Sequence, residues 1–216
     1  MNRASARLLR HSRADDGTHS TGGAEGNERL TALTGAVLLV LLAVEGFTLL
    51  RLHSMMTLHF FIGMLLIGPV LLKMGSTGYR FVRYYTGSVP YVRKGPPALP
   101  LRVLGPVVML TSIGVMGTGV ALALAGPGPS LWIIAHKLFF VAWFGAMTVH
   151  VTWYAPQLPR MLGPGSPQLA RAHRALAGAG RRWILLLAAL AVGLVIAVAT
   201  AHLAGSWSGF HKFGTG

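Results

Sequence analysis

The sequence predicts an all-α integral membrane protein: a helical bundle of five transmembrane helices, with the N-terminus in the cytoplasm and the C-terminus outside. Two observations predict this class. Of the 216 residues, 53% are hydrophobic and only 11% are charged, and the mean hydropathy is +0.57. That balance is too apolar for an ordinary soluble domain. Apolar runs of about 20 residues, the length that crosses a bilayer as a helix, also recur along the chain.

Five runs qualify as spans, and together they form one transmembrane domain over residues 30–203. The predicted spans are residues 30–50, 55–74, 103–125, 131–155 and 183–203. Pro69 interrupts the second span, but membrane helices tolerate proline when neighbouring groups satisfy the freed backbone. Residues 1–29 are polar and lack a period, which is typical of a disordered basic tail. The apolar run after them is too long for a signal peptide, so it is expected to remain as an anchor. Residues 204–216 are expected to form a short external tail.

The distribution of basic residues predicts the orientation. Three of the 19 Lys and Arg residues fall on one side of the membrane: Arg51, Lys137 and Lys212. The other sixteen fall on the opposite side, in the N-terminal tail and in or beside the second and fourth connections. By the positive-inside rule those segments face the cytoplasm, which predicts a multi-pass protein of the plasma membrane. The orientation of the spans therefore accounts for the net charge of +14, and no nucleic-acid partner is expected.

The second connection, residues 75–101, interleaves aromatic and basic side chains. Its basic residues and tyrosines suit the anionic inner leaflet of the lipid bilayer, which is the partner predicted for it. Docking of a cytoplasmic protein is the alternative. The sequence offers no catalytic set of nucleophile and base, no phosphate loop and no carboxylate pair. It also contains no cysteine, which excludes disulfides, iron–sulfur clusters and covalently attached haem.

Two histidines are predicted to lie at the same depth on different helices. His59 is a few residues into the second span and His136 a few residues into the fourth, both counted from the outside. Two neutral imidazoles facing each other across a bundle are what a six-coordinate b-type haem requires, so both are predicted iron ligands. The alternative is that each histidine hydrogen-bonds to a neighbouring helix. Small residues near this depth would leave flat space for a porphyrin, although they are also ordinary in membrane packing; they are Gly63, Gly114 and Gly117.

His150 lies fourteen residues after His136, on nearly the same face of the fourth span. A second haem would require a partner on the second span, but the corresponding position there is Lys73, which cannot serve. His150 is therefore a candidate ligand of a doubtful second haem, with a structural or quinone-contacting role as the alternative. His53 and His202 are expected to be wet interfacial residues that could instead bond a haem propionate.

Glu45 is the only carboxylate in the membrane body, and it lies in the same outer layer as His59 and His136. An acid at that depth is costly unless it is protonated or paired. The functional hypothesis is that Glu45 hydrogen-bonds a ligating histidine or takes a proton from a quinol. The alternatives are pairing with Arg51 or simple protonation.

With these histidines in place, residues Thr31–Ala155 resemble the bacterial membrane cytochrome b families. These are the cytochrome b-561 type and the cytochrome subunits of hydrogenases and formate dehydrogenases. The resemblance implies His59 and His136 as an axial pair and His150 as the second histidine of a two-haem helix. It implies haem b as cofactor, a quinone, and a partner oxidoreductase subunit. The stretch GSTGYRFVRYYTG…RKGPP is also similar to a loop of small actinobacterial membrane proteins, which implies no activity.

The function predicted first is therefore that of a haem b electron-transfer subunit, which relays electrons between a quinone pool and a partner oxidoreductase, rather than a self-contained enzyme. The alternative is a membrane protein without cofactor, either a structural or assembly subunit or a small transporter. A transporter is disfavoured because the chain has no detectable internal repeat and very little charge within its spans.

Overall fold

The computed structural model describes residues 23–95, 99–128, 130–157 and 178–207, and in these residues it is all helical, without strands. Five of its helices are long and apolar enough to cross a membrane, as predicted. The helices, in chain order, are α1 (Gly23–Leu49), α2 (Leu52–Tyr85), the short α3 (Val89–Arg93), α4 (Leu99–Ala125), α5 (Ser130–Tyr154) and α6 (Ala179–Thr200). Short 3-10 segments follow α5 (Ala155–Gln157) and α6 (Ala201–Trp207).

Several helices begin or end beyond the spans predicted for them, α1 and α2 by the most. Helix α1 begins at Gly23, so residues 23–29 are helical instead of belonging to the tail. Helix α2 continues to Tyr85, eleven residues beyond the predicted end. No proline follows Pro69 before Tyr85, and the helix stops at a turn in which Gly87 adopts a φ of +76°, a conformation that favours glycine. Residues 1–22 and 208–216, which include most of both predicted tails, lie outside the described residues.

Successive helices run antiparallel, which gives the bundle two ends. The His59 end holds the C-termini of α1, α4 and α6 and the N-termini of α2 and α5, and the Lys73 end is opposite. Helix α2 is central: it packs extensively against α1 and α6 and more lightly against α4. Helix α5 packs on α4. Which end faces the cytoplasm stays a prediction.

The closest approach in the described bundle joins α2 and α6. A Cβ added at Gly68 would overlap the carbonyl oxygen of Ala189, and one added at Gly193 would overlap that of Leu65. Only glycine allows two helix backbones to come this near, a device common in membranes because lipid supplies no hydrophobic force between helices. Around this crossing lie the buried Leu186 and Ala197.

At the Lys73 end, the short helix α3 folds back against α1. Tyr91 is buried, its ring meets that of Tyr79 edge-on at 6.0 Å, and its hydroxyl donates to the Gly23 carbonyl at 3.5 Å. Lys94 forms an ion pair with Glu28 of α1. Part of the aromatic and basic connection therefore packs on the bundle. Tyr84 is half-buried, and the side chains of Tyr79, Phe81 and Tyr85 stay exposed.

Candidate functional site: two histidine–threonine pairs at the His59 end

The first half of the candidate site is a contact between α1 and α2. His59 of α2 places its Nδ1 atom 3.0 Å from the Thr48 hydroxyl and 3.0 Å from Oε1 of Glu45, both on α1. Thr48 is fully buried, and the side chains of His59 and Glu45 are 22% and 14% exposed. Because Glu45 and Thr48 are three residues apart, they lie on one face of α1 and reach the same ring.

The hydroxyl of Thr48 fixes which nitrogen of His59 is free. It donates its single proton to the backbone carbonyl of Glu45 at 2.6 Å, so toward His59 it can only accept. The His59 Nδ1 atom is therefore the donor. In the neutral ring this leaves a lone pair on Nε2, the form in which histidine binds a metal.

The second half repeats this arrangement between α4 and α5. His136 of α5 places Nδ1 3.0 Å from the hydroxyl of Thr118 on α4. Thr118 in turn donates to the Gly114 carbonyl at 2.7 Å. Toward Nδ1 its hydroxyl therefore accepts, which leaves the lone pair of the neutral His136 ring on Nε2.

The two histidines come near each other although they lie on different helix pairs. His59 is seven residues from the start of α2 and His136 six from the start of α5, so both lie about 10 Å along their helices. They are close enough to interact electrostatically. The described residues place no third histidine beside them: His53 and His202 are both exposed at this end of the bundle.

Glu45 has one oxygen without a partner. Its Oε1 faces His59 Nδ1, whereas Oε2 is buried and makes no hydrogen bond within the described residues. An unsatisfied buried carboxylate oxygen is costly, so a proton or a further polar group is expected there. Gly63 lies beside this acid: a Cβ at that position would be 3.4 Å from Oε1, which is ordinary van der Waals contact. Arg51 is exposed at the end of the helix and forms no ion pair with Glu45.

The glycines predicted to make space for a porphyrin have different neighbours. The ring of Phe139 fills the position where Gly114 lacks a side chain, so this glycine serves the packing of α4 on α5. A Cβ at Gly117 would meet nothing within 4 Å, which leaves open space one turn along the same helix. Gly119 lies against His136, whose Cε1 would be 3.3 Å from an added Cβ.

His150 lies at the opposite end of the bundle, with no histidine beside it in the described chain. Its ring centroid is 4.8 Å from that of Tyr154, and it interacts electrostatically with Lys73. A lysine ammonium donates hydrogen bonds and offers iron no lone pair. The described residues therefore do not complete a second haem site, and His173, the nearest other histidine of the fourth connection, lies outside them.

The donor set at the His59 end fits one haem b. Axial ligation requires two imidazoles with free Nε2 atoms, and a partner on Nδ1 of each ligand is the usual second layer of such a site. His59 and His136 meet both conditions. No group of three or more His, Asp and Glu side chains that could hold a bare metal ion occurs in the described residues.

Comparisons of the chain with protein families, with curated proteins and with solved structures gave no match. The fold therefore defines the class by itself: a multi-pass, all-helical membrane protein of five spanning helices. The similarity to membrane cytochromes b remains a prediction from the residues.

Sequence reasoning missed the threonines of the site. Thr48 and Thr118 hold the two imidazoles, and both are polar residues inside apolar spans. Their spacing carried a signal, since Thr48 lies three residues after Glu45 and Thr118 lies at the depth of His136. A search for polar residues that match the histidines in depth would have found them.

Proposed function

We propose that this chain is a haem b electron-transfer protein of the membrane, the cytochrome subunit that relays electrons between a quinone pool and a partner oxidoreductase. The observation that carries the proposal is the pair of imidazoles at the His59 end. They come from separate helix pairs, interact with each other, and are each held through Nδ1 so that Nε2 is left to bind iron.

In this proposal His59 and His136 would hold the haem b through their Nε2 atoms, and the haem would supply one-electron transfer between ferric and ferrous iron. Thr48 and Thr118 are positioning residues. By accepting the Nδ1 proton they keep each ring in one tautomer and one orientation. Gly117, which is exposed on α4, would border the porphyrin.

Glu45 would connect electron transfer to protons. Its carboxylate lies next to His59, and its Oε2 oxygen is buried and unsatisfied in the described residues. A quinol that is oxidised gives up two electrons and two protons. In this proposal the two electrons would pass to the haem one at a time, Oε2 of Glu45 would accept one proton, and the other would leave to water. This assigns Glu45 to quinol chemistry in addition to its contact with His59.

The test is an absorption spectrum of the full-length protein, expressed with haem supplied and purified in detergent. We expect a six-coordinate b-type spectrum in the oxidised and dithionite-reduced states. It should be lost in His59→Ala and in His136→Ala and kept in the matched control His202→Ala, whose imidazole is exposed. A wild-type protein without a Soret band would end the proposal.

Two milder changes separate positioning from ligation. Thr48→Val and Thr118→Val keep the side-chain shape but remove the acceptor of Nδ1. Losing such an outer partner usually weakens metal affinity by about 10- to 100-fold. We therefore expect weaker haem retention and a shifted midpoint potential with six-coordination preserved. Glu45→Gln should change the midpoint potential and slow the reaction with quinol; unchanged values in both would remove Glu45 from the proposal.

The second candidate is a membrane protein without cofactor, a structural or assembly subunit or a small transporter. One observation favours it: each histidine already has an interhelical hydrogen bond, and such bonds join membrane helices on their own. Under this reading His59→Ala and His136→Ala would lower only thermal stability. The spectrum described above decides between the two.

A further inference from the structure

Lys73 is a cation drawn into the bundle instead of extended toward water. Its Nζ atom donates to the backbone carbonyl of Thr31 on α1 at 2.7 Å. The ammonium lies against Gly35, where an added Cβ would be 2.8 Å from Nζ. A lysine near the end of a membrane helix ordinarily extends to the interface, so this inward position is a specific feature of the α1–α2 contact.

A network of side chains holds the segment around Lys73 in place. Thr31 donates to the Asn27 carbonyl or to the Ser76 hydroxyl, both at 2.9 Å, and Ser76 donates to the carbonyl of Lys73 at 3.0 Å. Asn27 donates its side-chain amide to the Ser76 carbonyl at 3.0 Å. The Lys73 ammonium uses one of its three donors in this network, at the Thr31 carbonyl, and two remain for a ligand.

No carboxylate of the described residues forms an ion pair with this cation. Glu45 contacts His59 at the other end of the bundle, and Glu28 reaches the Lys73 end but forms its ion pair with Lys94. A buried ammonium without an anion is costly, so the charges favour an anionic ligand that the described residues do not supply.

His150 and Lys73 lie on helices that are not neighbours. Helix α5 packs on α4 and makes no extensive contact with α1 or α2 in the described chain, yet its His150 lies within electrostatic reach of Lys73. One turn further along, Tyr154 lies within the same reach of Arg80 on α2. In a bilayer, lipid fills a space between spanning helices that do not pack together.

The depth of this space matches the lipid phosphate. Lys73 is 21 residues from the start of α2 and His150 is 20 from the start of α5, so both lie about 30 Å along their helices. That length equals the hydrocarbon thickness of a bilayer, beyond which the headgroups begin. Basic pockets between helices at this level bind anionic headgroups.

We propose that Lys73 and His150 bind the phosphate of an anionic phospholipid, seated between α2 and α5 at the Lys73 end. The Lys73 ammonium donates to the phosphate, and His150 and Arg80 face the same headgroup. This proposal is independent of haem at the His59 end, because the two sites share no residue.

The test is lipid binding by the full-length protein in detergent, followed by native mass spectrometry. Phosphatidylglycerol is titrated against phosphatidylcholine with the same acyl chains. We expect the first bound phosphatidylglycerol to be preferred, and we expect Lys73→Met to weaken it by about five-fold, the usual effect of one basic residue near a headgroup. Lys137→Met, which removes the lysine of α5 at the other end, is the matched control and should keep the preference.

A second variant guards against misfolding of Lys73→Met. Gly35→Ala keeps the lysine but occupies the position of its ammonium, so it should reduce the preference while the helical content and thermal midpoint stay near wild type. The proposal is overturned if Lys73→Met and Gly35→Ala both retain the preference. It is also overturned if inorganic phosphate at millimolar concentration displaces the lipid, because the site would then take a soluble anion.

Discussion

The α1–α2–α6 unit and the α4–α5 hairpin are built in different ways. In the first, glycines bring two helix backbones into contact at Gly68 and Gly193, and buried residues lie along all three helices. In the second, α4 and α5 pack as extensively as α1 and α2, and side chains fill their interface: the Phe139 ring lies against Gly114, His136 bonds Thr118, and Trp143 donates to the Ser112 hydroxyl at 3.1 Å. No residue in the apolar stretch of α5 is buried.

This difference locates both candidate sites. Each lies where a side chain of the tightly packed unit meets one from the hairpin: His59 with His136 at one end, and Lys73 with His150 at the other. The two units touch mainly through α2 and α4, where Met116 and Ala123 pack on α2.

The largest loss of stability is expected when a side chain is added where α2 and α6 cross, at Gly193. Gly193→Ala places a Cβ on the Leu65 carbonyl oxygen, and a backbone atom cannot move aside as a side chain can. We expect a loss of at least about 3 kcal/mol in the free energy of unfolding. Thermal unfolding in detergent measures it, with Gly145→Ala on α5 as the matched control because its Cβ would meet nothing within 4 Å. Equal stability of the two variants would contradict the tight crossing.

A smaller effect is expected from the same change in the hairpin. Gly114→Ala displaces the Phe139 ring, which can rotate away, so we expect a cost of about 1–3 kcal/mol. Gly117→Ala, with open space around it, is the control and should be neutral. Adding Phe139→Leu to Gly114→Ala should restore part of the loss, and the double-mutant cycle gives the coupling. Absence of coupling would show that the two residues do not meet.

The smallest loss of stability is expected where the short helix α3 packs against α1. Tyr91→Phe removes a long hydrogen bond and should cost about 0.5 kcal/mol at neutral pH. Burial raises the pKa of Tyr91, with the nearby Tyr79 adding to the shift. The neutral phenol is therefore favoured in the folded chain, and its contribution is complete below about pH 10, the unfolded value, and lost as the pH rises further.

The loss of stability that accompanies ionisation of Tyr91 at alkaline pH can be followed by thermal unfolding between pH 8 and about 11. Tyr91→Phe should reduce it, whereas Tyr85→Phe, which changes an exposed tyrosine, should leave it unchanged. An identical pH profile for wild type and Tyr91→Phe would contradict the buried position of Tyr91.

Local pattern was enough to predict much of the fold. Every predicted span lies mostly within an observed helix, because crossing a bilayer depends on the summed hydropathy of about 20 residues and not on their partners. The helical extension to Tyr85 was not predicted, since the aromatic and basic residues after Met74 ended the apolar run without ending the helix. Depth along the helices likewise follows from counting, which is how His59, His136 and Glu45 were assigned to one layer.

The sequence by itself determined five spans and the level at which each polar residue lies. Tertiary structure alone decided which side chains meet, because the rotation of a helix about its axis is not fixed when lipid and leucine are equally apolar. It placed Thr48 against His59 and Thr118 against His136, put the Phe139 ring beside Gly114, and left no neighbour within 4 Å of a Cβ at Gly117. It also turned Lys73 inward to Thr31 and left α5, where two of the three candidate histidines lie, at the edge of the bundle.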